Sequence, residues 1–203
     1  MKKLLAICVF SLITFTISAQ SIKLPTPTKK GGMSLNEALV NRKSTRTFAP
    51  TKLTDQQLSN LLWTANGVNR QDGRRTAPSA RNCQEIEIYV FMENGIFLYT
   101  PDENVLKEVA PEDHRAEVSL RGDFTAKAPV VLVFFANYDK MEGMDDDARE
   151  FYGATDCGYV SQNVYLYCAA NKLNTVVLGA IQRDILRDFI GGPNGKVILA
   201  QQI

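Results

Sequence analysis

Apolar positions recur along this chain with two different periods, and the change from one to the other marks its elements. Leu58, Leu61, Leu62 and Ala65 fall three and four residues apart, which is one face of a helix. Thr54-Asp55-Gln56-Gln57 stands in front of them as a capping box, and Gly67 marks the expected end. Ser34-Leu35-Asn36-Glu37 is a second capping box, opening a helix expected to reach about Val40. Ile86, Ile88 and Val90 alternate with Glu87 and Tyr89, the period of a strand. Asn94-Gly95 then signals a tight hairpin, with residues 96–100 as the return strand. Residues 130–135 form an unbroken apolar run, the pattern of a strand covered on both faces.

Weaker patterns fill the rest. A helix is expected near residues 112–120 and a long one over about 149–170. Ala154, Gly158 and Ser161 would give the long helix a face of small residues, suited to close helix approach or to a core contact. The acidic, Met-containing stretch 139–149 reads as a flexible connection. Residues 175–178 read as a strand, and Ile181, Ile185 and Phe189 line a short helix stopped by Gly191-Gly192-Pro193. A last strand covers 196–201. Residues 20–33, with Pro25, Pro27, Gly31 and Gly32 among polar side chains, read as a linker or arm. There is no internal repeat. Helices and strands interleaved around a central hairpin give one α+β domain over residues 34–203.

Composition changes little in this picture. The chain has 203 residues, 45% of them hydrophobic, enough for one sizeable core. The formal charge of +1 and the absence of a basic stripe with interleaved aromatics argue against a nucleic-acid partner. The N-terminus changes more. Lys2 and Lys3 precede an apolar run from Leu4 to Ile17, and Ser18-Ala19 offers a small-residue exit: the pattern of a signal peptide over residues 1–19. The run is shorter than the ~20 residues a membrane span needs, so stable insertion is not expected. Ile7 is too large to precede a lipidated cysteine and Cys8 sits too early, which argues against a lipid anchor. An exported, periplasmic protein is therefore expected, or a cytoplasmic one if the segment is retained.

Cleavage would leave Cys83, Cys157 and Cys168, an odd set that makes no disulfide framework. Cys157 and Cys168 would stand roughly 16 Å apart along one helix, beyond the reach of a bridge. The single histidine, His114, has no ligand motif around it, and no metal site is expected.

Two short segments carry candidate chemistry. Arg42-Lys43-Ser44-Thr45-Arg46 puts two guanidinium groups, an ammonium and hydroxyls within five residues. Arginine's planar fork suits phosphate, although basic runs are also common on solvated surfaces. Pro78-Ser79-Ala80-Arg81-Asn82-Cys83-Gln84 is a turn whose hydroxyl and amides suit the polar edge of a ring, and is equally the composition of an ordinary turn.

Together and in this order, the two segments resemble the nitroreductase family of FMN-dependent oxidoreductases. The likeness extends to Asp156-Cys157-Gly158 with Gln162-Asn163, similar to the family's long central helix, and to residues 173–180, similar to its short strand and flavin-contacting loop. Residues 63–70 resemble a subgroup related to thiazoline oxidases. The resemblance covers roughly residues 34–203. It implies a mixed central sheet flanked by helices, with FMN at a homodimer interface. It implies that Arg42, Lys43, Ser44 and Arg46 divide the phosphate, ribityl and pyrimidine contacts. Pro78, Ser79, Ala80 and Asn82 would line the flavin on its other side, and Gly179 and Ala180 would approach the ring. Arg121 is either a further pyrimidine contact or a plain exposed side chain. Arg42 or Arg46 would supply the positive charge that favours reduced flavin. No nucleophile–base pair stands out, as suits chemistry carried by a cofactor.

The activity implied is two-electron reduction of nitro compounds, quinones or similar small-molecule acceptors, with NAD(P)H as a possible donor. A flavin-dependent dehydrogenase or oxidase acting on a peptide or heterocycle is one alternative, and a non-catalytic flavin-binding protein is another. Two departures stand out. Relatives commonly continue past the last strand with another basic residue, whereas this sequence ends at Ile203, so either phosphate binding leans harder on the 42–46 loop or FMN affinity is reduced. Lys172 and Asn174 replace glycines common in relatives, and Asn171 or Asn174 is expected to serve the turn.

Overall fold

A computed structural model describes residues 21–203; the expected signal peptide, 1–19, lies outside the described residues. Seven strands form one sheet: β1 (Ser21–Lys23), β2 (Ile86–Met92), β3 (Gly95–Thr100), β4 (Val105–Pro111), β5 (Val131–Asn137), β6 (Val176–Leu178) and β7 (Gly195–Gln202), in the order β1-β4-β3-β2-β5-β7-β6. Four helices flank it: α1 (Leu35–Asn41), α2 (Asp55–Asn66), α3 (Asp146–Ala170) and α4 (Arg183–Ile190). The α+β fold is the expected one. The sheet, expected to be mixed, is antiparallel in every pairing among the described residues, because β2, β3 and β4 form a meander and β7 returns against both β5 and β6.

Both faces of the sheet are covered, which explains the unbroken apolar run of β5. Leu132, Phe134 and Ala136 face one core with Leu61, Leu62, Val160 and Val164 of α2 and α3. Val131, Val133 and Phe135 face a second core with Leu186 and Ile190 of α4. Each such buried side chain contributes about 1.5–3 kcal/mol. Gly153 brings α3 onto β5: a Cβ there would stand 3.0 Å from that of Ala136. Both capping boxes form as read, with Ser34 and Thr54 accepting from the amides of Glu37 and Gln57.

Four expectations are corrected. The arm is partly a strand, since Ser21–Lys23 pair with Val105–Lys107 at the sheet edge. No α-helix occupies 112–120: β4 runs to Pro111, Glu112 takes a positive φ, and only a 3₁₀ turn, Arg115–Val118, follows. The acidic stretch is no loose connection. Met141 is fully buried, Asp145 caps α3 by accepting from Ala148 N, and Asp146 and Asp147 sit in its first turn, where the helix dipole favours anions. After α3 the left-handed residue is Lys172 (φ 57°), not Asn171 or Asn174. Asn171 instead uses its side-chain amide to satisfy the Tyr167 carbonyl, and Asn174 donates to the Thr47 carbonyl. Among the described residues, no helix is long and apolar enough to cross a membrane.

Candidate functional site

The 42–46 loop begins where α1 stops. Arg42 leaves helical geometry (φ −60°, ψ 119°) while its N–H still bonds the Ala38 carbonyl, and the chain runs on extended. Side chains therefore alternate. Arg42 lies over the Tyr165 ring, 5.3 Å from its centroid, and Ser44 Oγ stands 2.8 Å from the Tyr165 hydroxyl. Thr45 faces the other way and exchanges two bonds with Thr175, which leads into β6. Lys43 goes with Thr45, lining a cleft of about 310 Å³ with Asn41, Lys172 and Asn174. Arg46 is exposed. Of the four residues expected in this loop, Arg42 and Ser44 are thus brought together on Tyr165, and Lys43 is turned away from them.

Tyr165 organises this end. Its hydroxyl accepts from Val177 N–H at 3.0 Å and also bonds the Ser44 hydroxyl, where either oxygen can donate. Among the described residues no carboxylate forms an ion pair with Arg42, Lys43 or Arg46. Behind the loop, Thr175 Oγ1 receives from Gln201 Nε2, and Gln201 Oε1 accepts from Ser161 Oγ. Ser161 is therefore buried against β7 rather than sharing an open face with Ala154 and Gly158. Tyr165→Phe should strand the Val177 N–H and cost about 1–3 kcal/mol, read as a fall in thermal unfolding temperature. An unchanged unfolding temperature would remove Tyr165 from this role.

The 78–84 turn lies against the middle of α3. Ser79 Oγ accepts from Gln84 N at 2.9 Å, and Asn82 Oδ1 accepts from Gln84 Nε2 at 3.3 Å, leaving the Asn82 amide N–H groups unused by that bond. Arg81, Asn82 and Gln84 all take positive φ, between 51° and 58°. Three non-glycine residues in the left-handed region within four positions is a concentration of strain of the kind found at ligand-binding loops. The turn is tied to α3 by Ala80 N–H, which donates to Asp156 Oδ2 at 2.8 Å. Beside Asp156 lies Glu85, wholly buried, with no hydrogen-bond partner on either carboxyl oxygen. Burial, and the Asp156 neighbour after it, raise Glu85 to about 7, against the pull of its own amide and of Lys140. Burial also raises the Cys83 and Cys157 thiols.

Gly179 and Ala180 follow β6 and are exposed. The Ala180 carbonyl accepts from Leu120 N–H, so the exposed Arg121 sits beside this loop. The two motifs stay apart within one chain: their anchors on α3, Asp156 and Tyr165, are nine positions and about 13 Å apart along the helix. The exposed face of α1 and α3 is apolar. Six of the eight exposed large hydrophobics lie on α1 and α3: Leu35, Leu39, Val40, Phe151, Tyr152 and Tyr159. Gly158 shares that face, and a Cβ on it would meet nothing within 4 Å.

Tyr165 and Glu85 were not among the residues the sequence singled out, and Asp156 was read only as part of the long central helix. Tyr165 falls in the apolar pattern of a helix, and nothing local marks its hydroxyl. The one available signal for Glu85 is a carboxylate directly between the turn and an apolar strand.

Comparison with known proteins agrees with the fold. Residues 39–203 match the nitroreductase family. A candidate nitroreductase of Methanocaldococcus jannaschii is 32% identical over 167 residues, covering 78% of this chain and 84% of its own. The crystal structure of a candidate nitroreductase from Ralstonia eutropha is 39% identical, covers 90% of this chain and 87% of its own, and superposes with a TM-score of 0.83. A candidate nitroreductase from Desulfovibrio desulfuricans, solved in complex with FMN, shares the fold at 18% identity and TM-score 0.60, over 85% of this chain and 86% of its own. With the family match running from α1 through β7, this chain belongs to the nitroreductase family.

Proposed function

We propose that the protein binds FMN between two copies of itself and catalyses two-electron reduction of a nitro compound, quinone or similar acceptor. The observation that carries this reading is the arrangement along α3: a loop of unpaired cations near its C-terminal end, a strained polar turn against its middle, and an exposed apolar face on α1 and α3. Within one copy the anchors of the two halves stand about 13 Å apart along α3 and about half a turn apart around it. A second copy docked on the apolar face would bring the turn of one chain to the loop of the other. The donor set suits FMN. Arg42, Arg46 and the Ser44 hydroxyl match a dianionic phosphate or the ring's anionic edge, and Asn82 offers an amide to the ring. Lys43, on the cleft side, would act on the phosphate through its charge.

When bound, the flavin supplies hydride chemistry. The chain's own residues hold it, place positive charge from Arg42 or Arg46 near its pyrimidine edge, and bring Gly179 and Ala180 close to the ring. The protein made without residues 1–19 should purify yellow, with about one releasable FMN per chain. NADH should bleach it and an added quinone restore the colour. Colourless protein that fails to take up FMN would sink the reading. Bound flavin that no donor reduces would favour the non-catalytic alternative, and reduction by a heterocyclic substrate with reoxidation by oxygen would favour the oxidase.

The signal-like segment motivates a further part of the proposal. The protein is exported, and NAD(P)H reduces it in vitro without being its physiological donor, because nicotinamide cofactors are cytoplasmic. Fractionation of the host with N-terminal sequencing decides this: a chain starting near Gln20 in the periplasm supports it, and an intact Met1 chain in the cytosol contradicts it.

A further inference from the structure

We propose that Glu85 and Asp156 are positioning residues for the 78–84 turn, sharing a single proton so that one negative charge, held on Asp156, fixes Ala80 in place. The proposal deepens the flavin-binding reading and rests on it only for its effect on FMN.

Glu85 closes the turn and Asp156 lies on α3 directly behind it; they are 0% and 3% exposed. The Ala80 N–H bond ties Asp156 to the turn that Glu85 closes, and of all side chains Asp156 acts most on the Glu85 carboxyl. Two ionised carboxylates offer only acceptors, so no bond forms between them, and their charges repel in a buried space. One retained proton removes both difficulties. Glu85 is its natural holder, because neither of its oxygens has another partner, whereas Asp156 Oδ2 already accepts the Ala80 N–H. A protonated Glu85 donates to Asp156, and Asp156 keeps the charge that strengthens its bond to Ala80. The backbone prevents escape: the Glu85 carbonyl accepts from Asn137 N–H at 3.0 Å, pinning this residue to β5.

The surrounding charges do not replace the proton. Lys140, from the turn after β5, is paired with Glu87 at 2.8 Å. Arg75, before the turn, is influenced by Asp102, Tyr99 and Glu87 more than by Glu85. Cys83 in the turn and Cys157 on α3 are the other titratable groups facing Glu85, and both thiols are raised, not lowered, by their surroundings.

The direction of the pH effect follows. Glu85 is lifted from 4.5 to about 7 on folding, so the folded chain holds a proton the unfolded chain has lost between those values. The contribution is complete below 4.5 and is lost as pH rises to about 7. Above that, the pair is doubly charged and the turn loosens.

Glu85→Gln is the discriminating variant. Its amide N–H donates to Asp156 as the protonated acid does, and it does not ionise. FMN affinity of the wild-type protein should fall at least about fivefold between roughly pH 6 and pH 8.5, as coupling to one proton allows. Glu85→Gln should hold the wild-type acid-side affinity throughout. Two flavin-free readouts accompany this. The wild-type unfolding temperature should fall relative to Glu85→Gln as pH rises from about 4.5 to about 7, with titrating groups common to both proteins cancelling in the difference. The infrared spectrum should show a protonated-carboxyl band that the variant and alkaline pH both remove. A Glu85→Gln profile that titrates like the wild type, a wild-type protein without that band, or a variant that does not fold would each overturn the proposal. Failure of the wild type to bind FMN at any pH would overturn the flavin reading alone, while the unfolding and infrared measurements still judge the shared proton.

Discussion

Arg42→Ala is expected to weaken FMN binding by about ten- to a hundredfold, the largest single loss at the proposed site. A hydrogen bond to a charged partner is worth about 1.5–3 kcal/mol, and each 1.4 kcal/mol is tenfold in affinity. The fold should survive the change. Arg42 is only half buried, forms no ion pair within the chain among the described residues, and touches Tyr165 through its guanidinium face. Arg42→Lys keeps the charge but not the fork that lies over Tyr165, so it should fall between Ala and the wild type. Equilibrium titration with FMN, followed by quenching of flavin fluorescence, measures all three. Equal affinity for wild type and Arg42→Ala would remove the 42–46 loop from the site.

Gly158→Leu should move two measurements in opposite directions. Within one chain nothing lies within 4 Å of a Cβ at this position, so the side chain costs no packing. Replacing glycine in the interior of α3 should stabilise the isolated chain by about 0.5–1 kcal/mol through helix propensity. In a dimer docked through the α1–α3 face, the same side chain intrudes into a close helix contact. Overpacking of this kind costs about 1–3 kcal/mol, which is roughly five- to 150-fold in association. Sedimentation should show dissociation at micromolar concentration, with FMN affinity falling alongside. An undisturbed dimer with full flavin content would move the interface elsewhere.

What could be read from the sequence was what is encoded locally. Ser34 with Glu37 and Thr54 with Gln57 close their bonds within three residues, and both helix starts stand where the capping boxes put them. The hairpin at Asn94-Gly95 and the doubly covered strand β5 were legible for the same reason. Long-range pairing was not. Ser21–Lys23 become a strand only by meeting β4, more than eighty positions away. The acidic stretch before α3 was misread because its aspartates look solvated, while Met141 within it plugs the core. At the site, the order of the two motifs was legible and their support was not. Ser44 meets Tyr165 across 121 positions and Ala80 meets Asp156 across 76, contacts that no local pattern announces. The alternation of the 42–46 loop, which separates Lys43 from Arg42 and Ser44, was legible only once Thr45 was seen pinned to Thr175.

The claim that each flavin lies between the loop of one chain and the turn of its partner is tested most directly by mixing two damaged proteins. Arg42→Ala lesions the loop and Asn82→Ala lesions the turn, and each homodimer should bind FMN weakly at both sites. In the mixed dimer one site receives both lesions and the other receives none. Tight FMN binding should therefore return at one site per mixed dimer, half the wild-type stoichiometry. If loop and turn instead serve the same flavin within one chain, every site in the mixed dimer carries one lesion, and no tight binding returns.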